Sequence, residues 1–239
     1  MNRDYRRVGA VPVWVFAALG LSLAAQLTVQ ATRPAAAPAA RDLPPPPGAA
    51  ALRLATFGEP EAGARLAMLY LQSYDFAGTN ATPYSRLDYE RLVGWLRTIL
   101  ELDPRSQYPL FSAARVYAET EDRARSRLAL EFVYQEFLRD PNRRWPWLAH
   151  AALLAKHRLN DLPLARRYAQ AVQRRTTAAA LPLWAKQMEI FILEDMNELE
   201  AARIMLGGLL ASGTIHDPAE ARFLAERLKA LEARLQPAR

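Results

Sequence analysis

Apolar residues recur three and four positions apart along most of this chain, the spacing that places them on one face of a helix. Leu92, Trp95, Leu96, Ile99 and Leu100 form such a stripe within residues 87–102, and Leu130, Val133, Tyr134 and Phe137 form another within 128–138. Residues 52–235 lack the alternating β-branched runs that signal strands. The pattern predicts an all-α body. Its character changes near the N-terminus, where Val8 to Val29 carries no charge and only Ser22, Gln26 and Thr28 as polar side chains. As a helix this run would extend about 33 Å, enough to cross a bilayer core of roughly 30 Å.

Arg3, Arg6 and Arg7 precede the run against a single Asp4, so residues 1–7 are expected to stay cytoplasmic and the body to lie on the far side. The apolar run exceeds the roughly 7–15 residues usual in a signal peptide, which favours a retained anchor over 8–29. Cleavage at Val29-Gln30-Ala31 is the alternative. Residues 30–51 collapse to Ala, Pro and Gly, with Pro34, Pro38 and the run Pro44 to Pro47. Proline fixes φ and removes an amide donor, so an extended spacer is expected, outside any core. The body then occupies residues 52–239.

Within the body a fixed interval repeats. Asp103-Pro104 recurs 37 residues on as Asp140-Pro141, each closing an apolar helix, and Leu162 and Leu199, again 37 apart, each open a helix after a short polar turn. Leu92, Ala129, Ala165 and Ala202 mark the same point of successive second helices. Such a period is the mark of stacked helical hairpins. The expected hairpins are 54–102, 105–139, 144–175 and 180–212, breaking near Gly78, Glu121, Asn160 and Asn197. A capping helix follows from Asp217-Pro218 to about Leu235, with Phe223, Leu224, Leu228 and Leu231 inward and Glu220, Arg222, Glu226, Arg227 and Lys229 in solvent.

Hairpins of this period that close in Leu-Asp-Pro and carry alanine in the second helix resemble degenerate tetratricopeptide repeats. The stretches Leu52 to Gly58, Leu69 to Gln72, Trp95-Leu96 and Leu102 to Pro104 are similar to bacterial membrane-anchored proteins of that type with no assigned activity. The resemblance implies an α-solenoid of about four hairpins behind one transmembrane helix, in a bacterial inner membrane with the C-terminal domain in the periplasm. It implies no catalytic residue.

The 239 residues contain no cysteine, which removes disulfides, thiolate nucleophiles and cysteine zinc sites. The net charge of +6 is unevenly placed. Residues 140–175 carry eight cations against two carboxylates, whereas 186–200 carry five carboxylates against Lys186. These are either adjacent solvated faces that attract each other or a basic surface for an acidic partner. Nucleic acid is not expected, since no zinc-finger spacing or RNA-binding sheet motif is present. His150 and His157 lie two helical turns apart, too far for one metal without a third ligand, and Glu194 and Asp195 point to different helix sides. Gly207-Gly208 has no following lysine, and its expected role is close helix approach.

Asn142-Arg-Arg-Trp-Pro-Trp147 is the most unusual local feature. Its two tryptophans and two arginines either form an exposed recognition patch or stack on each other to wedge a hairpin. Tyr70, Tyr74, Phe76, Trp95 and Tyr108 are read as core. The expectation is a non-enzymatic, cofactor-free and metal-free adaptor that binds a protein or peptide of the cell envelope. Its candidate partner-binding residues are Arg143, Arg144, Trp145, Trp147, Arg166, Arg167, Arg174 and Arg175, and replacing Arg144 and Trp147 by alanine is expected to abolish capture with helicity intact. The alternative is an accessory subunit of a membrane transport or surface-polymer export complex, acting through small residues of its anchor such as Ala17, Gly20 and Ala24.

Overall fold

A computed structural model describes residues 12–32, 43–74, 86–177 and 181–236. Arg3, Arg6, Arg7, Val8, Phe76, Gly78 and tether residues 33–42 lie outside that set. The chain divides into two units, Met1–Ala40 and Arg41–Arg239.

In the first unit a single helix, α1, runs from Val13 to Thr32. It starts directly after Pro12 and extends three residues beyond the expected end at Val29. None of its residues is buried and none is charged, and its 20 residues make it long and apolar enough to span a membrane. Its two threonine hydroxyls bond within the helix: Thr28 Oγ1 donates to the Ala24 carbonyl at 2.7 Å and Thr32 Oγ1 to the Thr28 carbonyl at 2.9 Å. That pairing lets a threonine face hydrocarbon without an orphaned polar atom.

The second unit holds ten further helices and no strand among the described residues. They are α2 (Ala49–Ala55), α3 (Pro60–Ser73), α4 (Tyr89–Leu102), α5 (Tyr108–Arg115), α6 (Arg123–Arg139), α7 (Pro141–His157), α8 (Leu162–Arg175), α9 (Leu183–Asp195), α10 (Leu199–Ala211) and α11 (Pro218–Leu235). A 3-10 turn, Tyr117–Glu119, separates α5 from α6. From α3 to α11 each helix packs on its successor, with additional contacts of α4 on α6 and α5 on α7.

Local chemistry explains where these helices begin and end. Asp88, Asp122, Asp161 and Asp217 each accept a hydrogen bond from a backbone amide of the first turn they precede, as N-cap carboxylates do. Pro60, Pro141 and Pro218 occupy the first helical position, where a missing amide costs nothing. Asp140 alone links α6 to α7, so there Asp-Pro both stops one helix and starts the next, whereas Asp103-Pro104 ends α4 and α5 begins only at Tyr108. The turns after α7 and α9 are made by Asn160 at φ 49° and Asn197 at φ 60°. Asparagine tolerates this left-handed geometry, which accounts for its recurrence at a 37-residue interval. Leu92, Ala129, Ala165 and Ala202 are all fully buried, as expected of equivalent core positions.

Three expectations are corrected. The spacer expected to reach residue 51 gives way to packed chain by Leu43, which is fully buried, and Ala49–Ala55 is already helix. The prolines there contribute carbonyls and rings to the surface of α4, which supplies the donors they lack. Gly207-Gly208 does not mediate close helix approach, because a Cβ built at either position meets nothing within 4 Å. On α11, Leu224 and Leu231 are buried, but Phe223 is 51 % exposed. Arg227 of the same helix is held by Glu194 at 2.7 Å and Glu220 accepts from Gln187 at 2.8 Å, so these two charged side chains serve packing.

The core runs from Leu43 through Ile192, and a smaller cluster of Ile190, Leu193, Ala202, Leu206, Leu224 and Leu231 joins α9, α10 and α11.

Candidate functional site

The segment Asn142 to Trp147 forms the first turns of α7, and its residues part company. Arg144 is buried, its side chain 4 % exposed against 1 % for Glu136. Its Nη1 donates to Glu136 Oε2 at 2.8 Å and to the Glu136 carbonyl at 2.7 Å, and Nη2 reaches the Pro104 carbonyl at 2.9 Å. It ties the end of α6 and the turn after α4 to the start of α7. Arg144 is therefore a packing residue and no partner-facing one, a correction with a plain cause: a fork of donors is needed where two helix ends leave carbonyls unpaired. Arg143 remains on the surface, 3.3 Å from Asp140. The tryptophans do not stack on each other. Trp145 lies against Trp184 with ring centroids 5.7 Å apart, while Trp147 meets the edge of Phe111 at 5.7 Å and its Nε1 donates to Gln107 Oε1 at 2.7 Å.

The basic residues of α8 likewise divide. Arg167 pairs with Glu131 at 2.6 Å and lies 4.3 Å over the Tyr134 ring, and Arg166 is 3.6 Å from Glu189. Arg174 and Arg175 are exposed, with no ion pair among the described residues. Lys156 pairs with Asp195. The basic and acidic segments thus meet through α7 and α8 against α9, consistent with mutually attracting faces. The eight candidate residues do not converge on one surface feature.

What converges is a set of side chains from the first helices of successive hairpins. Phe111 and Arg115 of α5, Trp147, His150 and Leu153 of α7, and Trp184 of α9 line a cleft of about 330 Å³. Trp184 is 52 % exposed, and Leu153 and Phe111 are exposed as well. Tyr108 stacks on Phe111 at 5.8 Å and accepts a hydrogen bond from Gln72, which continues the row toward a second cleft of about 420 Å³ between α3 and α5. Tyr108, read as core from sequence, is 46 % exposed.

His150 is set into the wall of the aromatic cleft, and its pKa departs from its ordinary value. Burial holds its imidazole below that value, the Arg115 guanidinium adds to the shift, and the Glu119 carboxylate opposes it. Its buried Nε2 has no hydrogen-bond partner among the described residues. The imidazole is neutral at neutral pH, and it backs a wall made of three aromatic rings and the Arg115 cation. Aromatic rings beside a guanidinium have the chemistry to hold an apolar or aromatic side chain carried next to an anionic group. It supplies no nucleophile paired with a base. Among the described residues no three His, Asp or Glu side chains group in a way that holds a metal ion.

Of this cleft, the sequence reading singled out Trp147 alone as partner-facing. Trp184 was legible in principle, since it stands 37 residues after Trp147, the interval of the repeat. His150, Phe111, Leu153 and Arg115 carry no such signal, because only the packing of α5 on α7 brings them together. Compared with known proteins, the chain matches no family model, no curated protein and no solved structure.

Proposed function

We propose that this protein is a membrane-tethered helical-repeat adaptor that holds a protein or peptide segment of the cell envelope along the first-helix face of its hairpins. In this reading the hairpins stack as a tetratricopeptide-like solenoid, α1 is retained in a bacterial inner membrane, and the body stands in the periplasm. The observation that carries the proposal is the open aromatic cleft of Phe111, Trp147 and Trp184 beside Arg115. An exposed Trp184 and a half-buried Trp147 beside the Arg115 cation are the residue types of which interface hot spots are made. The recurrence of tryptophan at the repeat interval in Trp147 and Trp184 supports a surface built by repetition.

A photoreactive residue at position 184 of the full chain, activated in native membranes, is expected to yield one discrete protein adduct. Phe111→Ser is expected to remove that adduct while circular dichroism stays unchanged. In the reconstituted pair, Trp184→Ala is expected to weaken binding about thirtyfold, the equivalent of a hot spot of about 2 kcal/mol. Labelling of lipid alone, or an adduct indifferent to Phe111→Ser, would sink the proposal. The second reading, an accessory subunit acting through its anchor, draws on the fully unburied surface of α1. Exchange of α1 for an unrelated spanning helix separates the two: the adaptor keeps its partner and the subunit loses it.

A further inference from the structure

Arg91, Gly94, Trp95 and Thr98 stand at the i, i+3, i+4 and i+7 positions of one face of α4. Such a face would ordinarily be apolar. Here it presents three side-chain donors and a gap. Arg91 Nη1 donates to the Leu43 carbonyl at 2.8 Å, Trp95 Nε1 to the Pro44 carbonyl at 2.8 Å, and Thr98 Oγ1 to the Pro47 carbonyl at 3.4 Å. The gap is Gly94, where a Cβ would fall 2.8 Å from Cγ of Pro46. No larger residue fits under that ring without displacing it. Gly48, the residue after them, has the polyproline-type geometry φ −64° and ψ 144°.

The chemistry of the match is specific to proline. A run of prolines has carbonyl acceptors and no amide donors, so it is read by donors alone, together with a shape that accepts the ring. Indole N–H, guanidinium and hydroxyl donors supply the first, and glycine supplies the second. The fully buried Leu43 side chain adds an apolar anchor before the prolines. All the polar contacts fall on main-chain carbonyls, so the donors read the backbone while the gap at Gly94 reads a proline ring.

We propose that this face of α4 is a polyproline-binding site, filled in the free protein by the chain's own Pro44–Pro47, and that a proline-rich segment of a partner protein enters it by displacing that strap. The proposal is independent of the aromatic cleft, which lies on other helices. Docking in cis works at an effective concentration in the millimolar range, so the strap behaves as a built-in competitor that screens the site from weak ligands. Displacement frees the last residues of the tether, coupling occupancy of α4 to the reach of the body from its anchor.

The absence of cysteine permits a direct test in the full chain. Spin labels at Gly48→Cys and Arg97→Cys, both exposed positions, report the strap on α4 in protein reconstituted in nanodiscs. A short interlabel distance is expected without ligand. Titration with a peptide of leucine, four prolines and glycine is expected to deplete it saturably, whereas an alanine peptide of the same length leaves it unchanged. Persistence of the short distance at about 10 mM peptide, well above the effective concentration of the strap, overturns the proposal. As a second measurement, Pro44→Ser, Pro45→Ser, Pro46→Ser and Pro47→Ser together weaken the strap and leave the face of α4 intact. Fluorescence anisotropy is expected to show the labelled proline peptide binding about tenfold tighter to this variant than to the native chain. Equal binding by the two also overturns it.

Discussion

The buried pair of Arg144 and Glu136 gives the sharpest quantitative expectation. Arg144→Ala removes the cation from a carboxylate that is almost wholly inside the protein, and it orphans the Pro104 carbonyl. Breaking a buried pair from one side costs about 3–5 kcal/mol, because the remaining charge stays desolvated. Here Arg139 still stands 2.9 Å from Glu136 Oε1, but its side chain is 62 % exposed and its attraction is screened by water. The lower part of that range applies, about 3–4 kcal/mol. In a body of this size about 2–4 °C of melting temperature goes with each kcal/mol, so a fall of roughly 10 °C is expected. Urea unfolding followed by far-ultraviolet circular dichroism measures the loss directly. The double variant Glu136→Leu with Arg144→Met replaces both charges by apolar groups and is expected to recover most of it, since the desolvation cost disappears with the pair. An Arg144→Ala protein within about 1 kcal/mol of native, or a double variant no more stable than the single ones, would refute the assignment of Arg144 to the core.

The open space around Gly207 and Gly208, inside α10, predicts that Gly207→Ala and Gly208→Ala each raise stability by about 0.5–1 kcal/mol in thermal melts, because the methyl meets nothing and the unfolded chain loses freedom. For His150 the folded-state pKa lies below its unfolded value of about 6.5, so in the window between the two the unfolded chain binds the extra proton. Native stability is then complete above that window and falls as pH drops through it. His150→Gln is expected to flatten this part of the urea-midpoint profile against pH, and identical profiles would contradict the burial of the imidazole.

Much of the helical scaffold was written in local sequence. The stripe through Leu92, Trp95, Leu96 and Ile99, the aspartate caps, the prolines at first helical positions and the asparagines in left-handed turns are decided by contacts within a few residues, and periodicity exposes them. The uncharged run now seen as α1 was legible for the same reason, since length and apolarity are sums over sequence. What the tertiary structure decided is which of two chemically equal residues serves packing and which faces solvent. Arg143 and Arg144 are neighbours of one type, yet a helical step of about 100° puts one in water and the other against Glu136 and a carbonyl 40 residues away. The same holds for the aromatic cleft, assembled from α5, α7 and α9, and for the prolines 44–47. Their composition speaks for a spacer until the donors of α4, 51 residues later, are brought beneath them. Long-range pairing of acceptors with donors leaves no trace in local spacing, so it had to be read from the folded chain.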